Sequence, residues 1–325
     1  MCLLLATNLG ACAPLAASSP TQDHRLLVIA SIFAPFDFAR QIAGSNADVR
    51  MLVPPGAETH SFEPKPQDII ALQSCDLFIY VGGESDAWLE DILATIDTSH
   101  MTIIRLLDCV EVLAEEQVEG MQASAFFTEG EGHAHAADAD AHDEPGHADA
   151  EPDEHVWTSV ANAKRIVRAL ADALKAADPG NGARYEQNTA AYLQQLDQLD
   201  DLFTEVVAQA QRTTIVFGDR FPFRYLAAEY GLTYSAAFSG CSTATEPNAQ
   251  TVAFLVNKIA DEQLPVVFFI ELSSHRIADV LAEETGAKPL LLHACHNISK
   301  DDFAAGATYV SLMRQNAANL REALS

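Results

Sequence analysis

Five histidines and ten acidic residues crowd the stretch from Glu129 to His155, which contains no lysine or arginine. The histidines are His133, His135, His142, His147 and His155. Imidazole suits zinc, copper and nickel, and carboxylates add charge and oxygen ligands. A stretch of this composition cannot bury enough apolar surface to fold alone, so it reads as a solvated tether that meets metal loosely. The competing reading is a charged linker with incidental histidines. Other ligand-type side chains stand where the strands of an α/β sheet would end. The run Val49–Val53 leads into Pro54-Pro55-Gly56, a rigid approach to His60. Asp219 and Arg220 follow the run Thr213–Phe217, Glu271 follows Val266–Ile270, and His293 follows Leu290–Leu292. His155 lies just before a helix that begins at Ser159. Ligands of open α/β sheets bind beyond the carboxyl ends of the strands. Four or five of these side chains would therefore meet in one cleft, and the chemistry they offer is divalent-cation binding.

The elements that must position them are short. Leu26–Ser31, Val49–Val53, Leu77–Val81 and Ile103–Leu106 read as strands in the first half. Thr213–Phe217, Thr233–Phe238, Val266–Ile270 and Leu290–Leu292 do so in the second. Helical spacing falls between them, as in Phe36–Ala43, Lys65–Leu72 and Asn248–Asp261. That alternation predicts parallel sheets covered by helices, in two α/β lobes. From Ser159, residues Val160, Ala163, Ile166, Val167, Leu170 and Leu174 share one helical face, stopped by Asp178-Pro179-Gly180. A second helix starts near Gly182, with Tyr185, Thr189, Tyr192, Leu196, Leu199, Phe203 and Val206 in a seam of alternating steps. It should run roughly 40 Å at 1.5 Å per residue and act as a stiff strut between the lobes. The expected division is 1–23 leader and tether, 24–180 first lobe with the charged loop at 129–154, 181–211 strut, and 212–325 second lobe.

The chain has 325 residues, enough for two lobes with real cores. Its 46 acidic against 19 basic residues give a formal net charge of −27, which repels nucleic acid and anionic lipid and gathers cations. Nucleic-acid binding is excluded on that ground. No apolar run approaches the length of a membrane-spanning helix. Leu9-Gly10-Ala11-Cys12 resembles a bacterial lipobox, which would place a lipid on Cys12, although the stretch before it is short and lacks a basic segment. In an oxidising space the four remaining cysteines would pair as Cys75–Cys109 and Cys241–Cys295, with four buried thiols as the alternative.

Longer matches carry a specific resemblance. Pro54–Pro66 (PPGAETHSFEPKP), Ala71–Trp88 (ALQSCDLFIYVGGESDAW), Asp153–Trp157 (DEHVW) after the charged insertion, and Gly306–Met313 (GATYVSLM) resemble the solute-binding proteins of zinc and manganese ABC transporters. The zinc-uptake branch is the nearer likeness, over about Leu26 to Leu324. The resemblance implies two α/β lobes joined by one long helix, no catalysis, zinc as the transported ion, and a monomer outside the cytoplasm that serves an ABC permease and its ATPase. It makes His60 and His155 the ligands of the first lobe. The family's third ligand has no direct counterpart: Arg220 stands in its place by one alignment, and Asp219 takes it if the loop has gained residues. The fourth position falls on His293, with Glu271 in reserve and His296 a lesser candidate.

Two other readings compete. A secreted metallohydrolase would need a general base beside an open metal, yet H-E-x-x-H, G-x-S-x-G and a glycine-rich phosphate loop are all absent. Manganese or iron uptake remains within the same family, but a histidine-dominated site favours zinc.

Overall fold

The computed structural model describes residues 25–58, 62–122, 151–242, 244 and 246–325. Cys12, His60, His133, His135, His142 and His147 therefore lie outside the described residues.

Eight short aliphatic and β-branched runs build two parallel sheets. The first contains β1 (Leu26–Ala30), β2 (Ala47–Met51), β3 (Leu77–Tyr80) and β4 (Thr102–Arg105), in the order β2-β1-β3-β4. The second contains β5 (Thr214–Phe221), β6 (Thr233–Ser239), β7 (Val266–Phe269) and β8 (Lys288–Leu291), in the order β6-β5-β7-β8. The helices of the first half are α1 (Phe33–Ala43), α2 (Pro66–Gln73), α3 (Ala87–Leu93) and α4 (Val160–Ala177). Then come α5 (Gly182–Ala208), α6 (Arg224–Tyr230), α7 (Ala249–Asp261), α8 (Arg276–Thr285), α9 (Lys300–Ala304) and α10 (Tyr309–Leu324). The alternation of strands and helices read from the sequence is the architecture observed.

Local chemistry explains the elements around the cleft. Ser159 caps α4 by accepting the Asn162 N–H at 3.0 Å, and its apolar stripe from Val160 to Leu174 is buried. Asp178 then fixes the turn into α5, accepting from Asn181 Nδ2 and the Tyr185 hydroxyl, each at 2.7 Å. The 27 residues of α5 bury Tyr185, Thr189, Tyr192, Leu196, Leu199, Phe203 and Val206, the seam expected from spacing alone. That face packs on α1 and α4 on one side and on α10 on the other. One apolar cluster consequently runs through both halves, from Leu26 and Val28 to Phe217, Phe268 and Leu324. Each sheet has a smaller cluster on its other face. Among the described residues no helix is long and apolar enough to cross a membrane.

Two expectations require correction. All four described cysteines are free thiols. Cys75 precedes the first residue of β3 and Cys109 follows the last residue of its parallel neighbour β4, so about four residues of strand, roughly 13 Å, separate them. Cys241 follows β6 and Cys295 follows β8, the two edge strands of the second sheet. Those two strands are three strand spacings, roughly 14 Å, apart, and both thiols are free. The second correction concerns β5, which does not stop at Phe217. It continues to Phe221 across a bulge: Phe217 pairs with Ala236, but Arg220, three residues on, pairs with Phe238, only two residues on.

Candidate metal site

The carboxyl ends of the second sheet meet the edge of the first in a narrow cleft of about 30 Å³. Its walls include Glu58 from beyond β2, His155 from the approach to α4, Arg220 from β5, Gly240 after β6, Glu271 after β7, and His296 after β8. Every strand of the second sheet thus contributes at its carboxyl end, as the general rule for open α/β sheets requires.

His155 is 1% exposed and is held by its own neighbour. Asp153 Oδ1 accepts the His155 backbone N–H at 2.8 Å and lies 3.2 Å from ring Nδ1. A carboxylate there keeps the proton on Nδ1 and leaves the Nε2 lone pair for a metal. Burial works against the charged imidazole, but Asp153, Glu154 and Glu115 together outweigh it and raise its pKa above the ordinary value. Gly240 makes room for the ring, since a Cβ there would sit 3.2 Å from His155 Cε1 and Nδ1 and 3.0 Å from the Phe221 carbonyl oxygen.

The second imidazole is His296. Its ring stands at 88° to that of His155, with centroids 5.5 Å apart, and both rings pack on Trp157, at 5.2 Å and 5.6 Å. Trp157 is fully buried and donates from Nε1 to the Ala294 carbonyl at 2.7 Å, fixing the indole between two elements. The turn carrying His296 is capped by Glu271, whose Oε2 accepts the Ala294 N–H at 2.7 Å and whose Oε1 accepts the His296 N–H at 3.1 Å. Cys295 occupies the left-handed backbone region at φ 57°, rare for a side-chain-bearing residue. Across this turn Ala294 and His296 line the cleft while His293 and Cys295 point into the core.

His293 is not in the cleft lining, although its ring Nδ1 lies 3.6 Å from Oε1 of Glu271, which is. The His293 backbone is clamped by Asn316 of α10, which accepts the His293 N–H at 2.7 Å and donates to its carbonyl at 2.8 Å. Ring Nδ1 accepts the Cys295 N–H at 2.9 Å, and buried Nε2 has no hydrogen-bond partner among the described residues. Asp219 is likewise not in the lining. Its Oδ1 accepts the Arg220 N–H at 2.8 Å, and its Oδ2 lies 3.4 Å from the Ile270 N–H, bracing the β5 bulge against the end of β7. Bulges re-aim side chains, and here the one-residue shift brings Arg220 into the cleft, where its guanidinium reaches Glu58 at 3.5 Å. Among the described residues no three His, Cys, Asp or Glu side chains are grouped closely enough to hold a metal ion. The structure thus assembles His155 and His296 with Glu271, Glu58 and Arg220 in the lining, places Asp219 outside it and His293 behind Glu271, and does not describe His60.

Hydrogen bonds tie the two halves around this cleft. Asn297 Nδ2 donates to the Pro54 and Ala57 carbonyls at 3.0 and 2.7 Å, and the Gly56 N–H donates to the Ile298 carbonyl at 2.8 Å. The Phe33 N–H donates to the His296 carbonyl at 3.0 Å, and the Tyr225 hydroxyl donates to the Asp153 carbonyl at 2.8 Å.

Acidic groups crowd the approach to His155, and Asp86 carries a measurable consequence. Burial pushes its carboxyl up from the ordinary 3.8 to about 6, against the Val81 and Gly82 N–H groups that favour the ion, with Glu154 and Glu90 adding repulsion. Between those two values the folded chain holds more protons at Asp86 than the unfolded chain. Its contribution to stability is therefore lost as pH rises through that window. We expect Asp86→Asn, whose amide oxygen still accepts both N–H groups, to stabilise the metal-free protein by about 2 kcal/mol at pH 7.5 and by almost nothing at pH 4. Urea unfolding at the two pH values checks this, and an equal effect at both would reject it.

Two α/β lobes, one long connecting helix and a histidine-lined interlobe cleft define the class as a two-lobed solute-binding protein. The family described as ZnuA, zinc-uptake complex component A, periplasmic, matches residues 28–323, and the chain belongs to that family. It is 30% identical to the zinc-binding lipoprotein AdcA of Streptococcus pneumoniae over 98% of its own length, and spans 60% of that relative. It is 28% identical to the high-affinity zinc uptake system protein ZnuA of Bacillus subtilis, covering 94% of this chain and 90% of that one. Among solved structures, the zinc-bound ZnuA-like domain of the pneumococcal AdcA superposes with TM-score 0.72 at 27% identity, over 92% of this chain and 99% of that one. The metal-dependent lipoprotein YcdH of Bacillus subtilis does so with TM-score 0.73, also at 27% identity, with the same coverage of the two chains.

Proposed function

We propose that this chain is an extracytoplasmic receptor that captures Zn²⁺ in the interlobe cleft and delivers it to an ABC permease driven by its ATPase. The observation that carries the reading is the pair of crossed imidazoles, His155 and His296, with Asp153 orienting the first. Zinc prefers four-coordinate sites rich in nitrogen, oxygen and sulfur donors. The ligand set we propose keeps His60 and His155 and takes His296 where the sequence pattern pointed to His293. Glu271 then acts by holding the His296 turn, and Asp219 by bracing the bulge. Ala57 and Glu58 already form the cleft wall, only two positions from His60 in the chain. The zinc-bound neighbour and the zinc-uptake names of the relatives support the choice of ion. Export, a lipid on Cys12 and a monomeric state belong to the same proposal.

Titration calorimetry of metal-free protein with zinc, alone and after saturation with manganese, tests it. We expect one tight zinc site that manganese does not block. Absence of tight zinc binding, or preference for manganese, would overturn the proposal. The histidine-rich stretch would gather ions ahead of the cleft without forming the tight site. Deleting residues 130–150 should therefore leave the tight dissociation constant unchanged while lowering the total zinc bound or slowing capture. Loss of the tight site in the deletion would sink that division of labour.

A further inference from the structure

The cleft has a cation of its own. Arg220 forms part of its wall, and its side chain is only 16% exposed. A guanidinium stays protonated at any ordinary pH, so it repels a divalent ion entering the same space twice as strongly as it would a single charge. Its Nη2 reaches across the cleft to Glu58 Oε1 at 3.5 Å. Glu58 belongs to the first lobe and Arg220 to the second. Of that pair, the carboxylate is the group a metal ion can use, and the guanidinium is the group that must give it up.

Both backbones are fixed. Asp219 Oδ1 accepts the Arg220 N–H at 2.8 Å on the β5 bulge. The chain leading to Glu58 is pinned to the second lobe by Asn297, 2% exposed, which donates to the Pro54 and Ala57 carbonyls. The Gly56 N–H adds a further tie, to the Ile298 carbonyl. Because α5 also packs on helices of both halves, parting the lobes is a costly way to free an ion. Turning a side chain is not. The Glu58 side chain is 42% exposed, and an ion pair this long and this open to water is weak enough for a metal ion to break. Glu58 turned toward Arg220 also accords with the absence, among the described residues, of three ligand side chains close enough to hold a metal.

Building on the zinc reading above, we propose that Glu58 is shared between Arg220 and the metal, and that Arg220 sets how readily zinc leaves. On binding, zinc takes the carboxylate: one N–H···O contact breaks, one zinc–oxygen bond forms, and the exchange itself moves no proton. On release the guanidinium takes Glu58 back. The ion pair and the zinc–carboxylate bond exclude each other, so every zinc bound must first win Glu58 and then tolerate a neighbouring positive charge. Arg220 thus weakens the site by design of its position, and Glu58 adds an anionic oxygen to the two imidazoles.

The test is a double-mutant cycle on the full chain, with zinc affinity measured against a chromophoric chelator and zinc transfer to that chelator followed by stopped flow. Arg220→Met, similar in length but uncharged, should tighten zinc about tenfold, within the usual range for coupling between two events on one protein. Transfer should slow by a similar factor, because affinity changes within one site fall mostly on the dissociation rate. Arg220→Gln, measured in parallel, covers any failure of the methionine variant to fold, and Arg220→Lys, which keeps the charge, should stay within about threefold of wild type. Glu58→Gln should weaken zinc about tenfold or more, the equivalent of roughly 1.4 kcal/mol. In that background Arg220→Met should gain only about threefold, since neighbours that share a partner are not additive. Unchanged or weaker binding in both neutral Arg220 variants overturns the inference and leaves the zinc receptor standing. So does Glu58→Gln binding zinc as wild type does, and so does an equal gain from Arg220→Met in both backgrounds, which would mean that Arg220 acts by charge alone. Absence of tight zinc binding in every variant and in wild type is the distinct outcome that defeats the underlying function.

Discussion

His155→Ala should weaken zinc binding by a hundredfold or more, about 3 kcal/mol or above. The removed ring has its tautomer fixed by the Asp153 carboxylate, and it is almost fully buried. His296→Ala should cost a similar amount. Asp219→Ala should change affinity by no more than about threefold, since its oxygens already serve backbone N–H groups. Asp153→Asn falls between, about 10–100-fold, the usual cost of losing the group that orients a metal-bound histidine. Competition against a chromophoric zinc chelator measures all four. If Asp219→Ala proves as damaging as His296→Ala, the ligand set proposed here is wrong.

The second large effect concerns stability. Asp37 is completely buried in α1, where Oδ1 accepts from Arg40 at 2.6 Å and from Gln41 at 3.2 Å. Its Oδ2 accepts the N–H of Tyr309, the first residue of α10, at 2.8 Å. One carboxylate thus satisfies an otherwise orphaned helix-start donor 272 positions away and sits at the positive end of that helix. Asp37→Ala strands the buried donor, a loss of roughly 1–3 kcal/mol, while Arg40, whose side chain is 36% exposed, is left to water. Asp37→Asn keeps an acceptor oxygen and should lose less than half as much. Urea unfolding of metal-free protein decides this; a loss below 1 kcal/mol for the alanine variant would mean that α10 is held by its apolar face alone.

The fold was largely legible, because hydrophobic periodicity is fixed by geometry. All eight strands overlap the apolar runs that predicted them, and the seam of α5 is the one the spacing gave. The errors are local and have causes. The run Val49–Val53 drew β2 two residues late, since Asp48 and Arg50 alternate outward in an edge strand that begins at Ala47. The β5 bulge leaves no mark in composition, so neither the strand's extra length nor the rotation of Arg220 was readable. His155 was found from its place before a capped helix. His293 and His296 are three positions apart in one tetrad, and which of them faces the cleft depends on the left-handed turn at Cys295. No propensity announces such a turn at a cysteine. The disulfide expectation failed for the opposite reason: counting an even number of cysteines ignores where the strands put them, with Cys75 and Cys109 at opposite ends of neighbouring strands and Cys241 and Cys295 beyond the two edge strands of one sheet.

Trp157 gives the chain an optical gauge of its own state. It is one of only two tryptophans, and the other, Trp88, packs on Phe62 at 5.7 Å. An indole pressed against both His155 and His296 is placed to respond to a change in their charge, so filling the cleft should alter its emission. Capture and release should then be observable in real time from native fluorescence, with Trp88→Phe removing the second emitter and no dye attached.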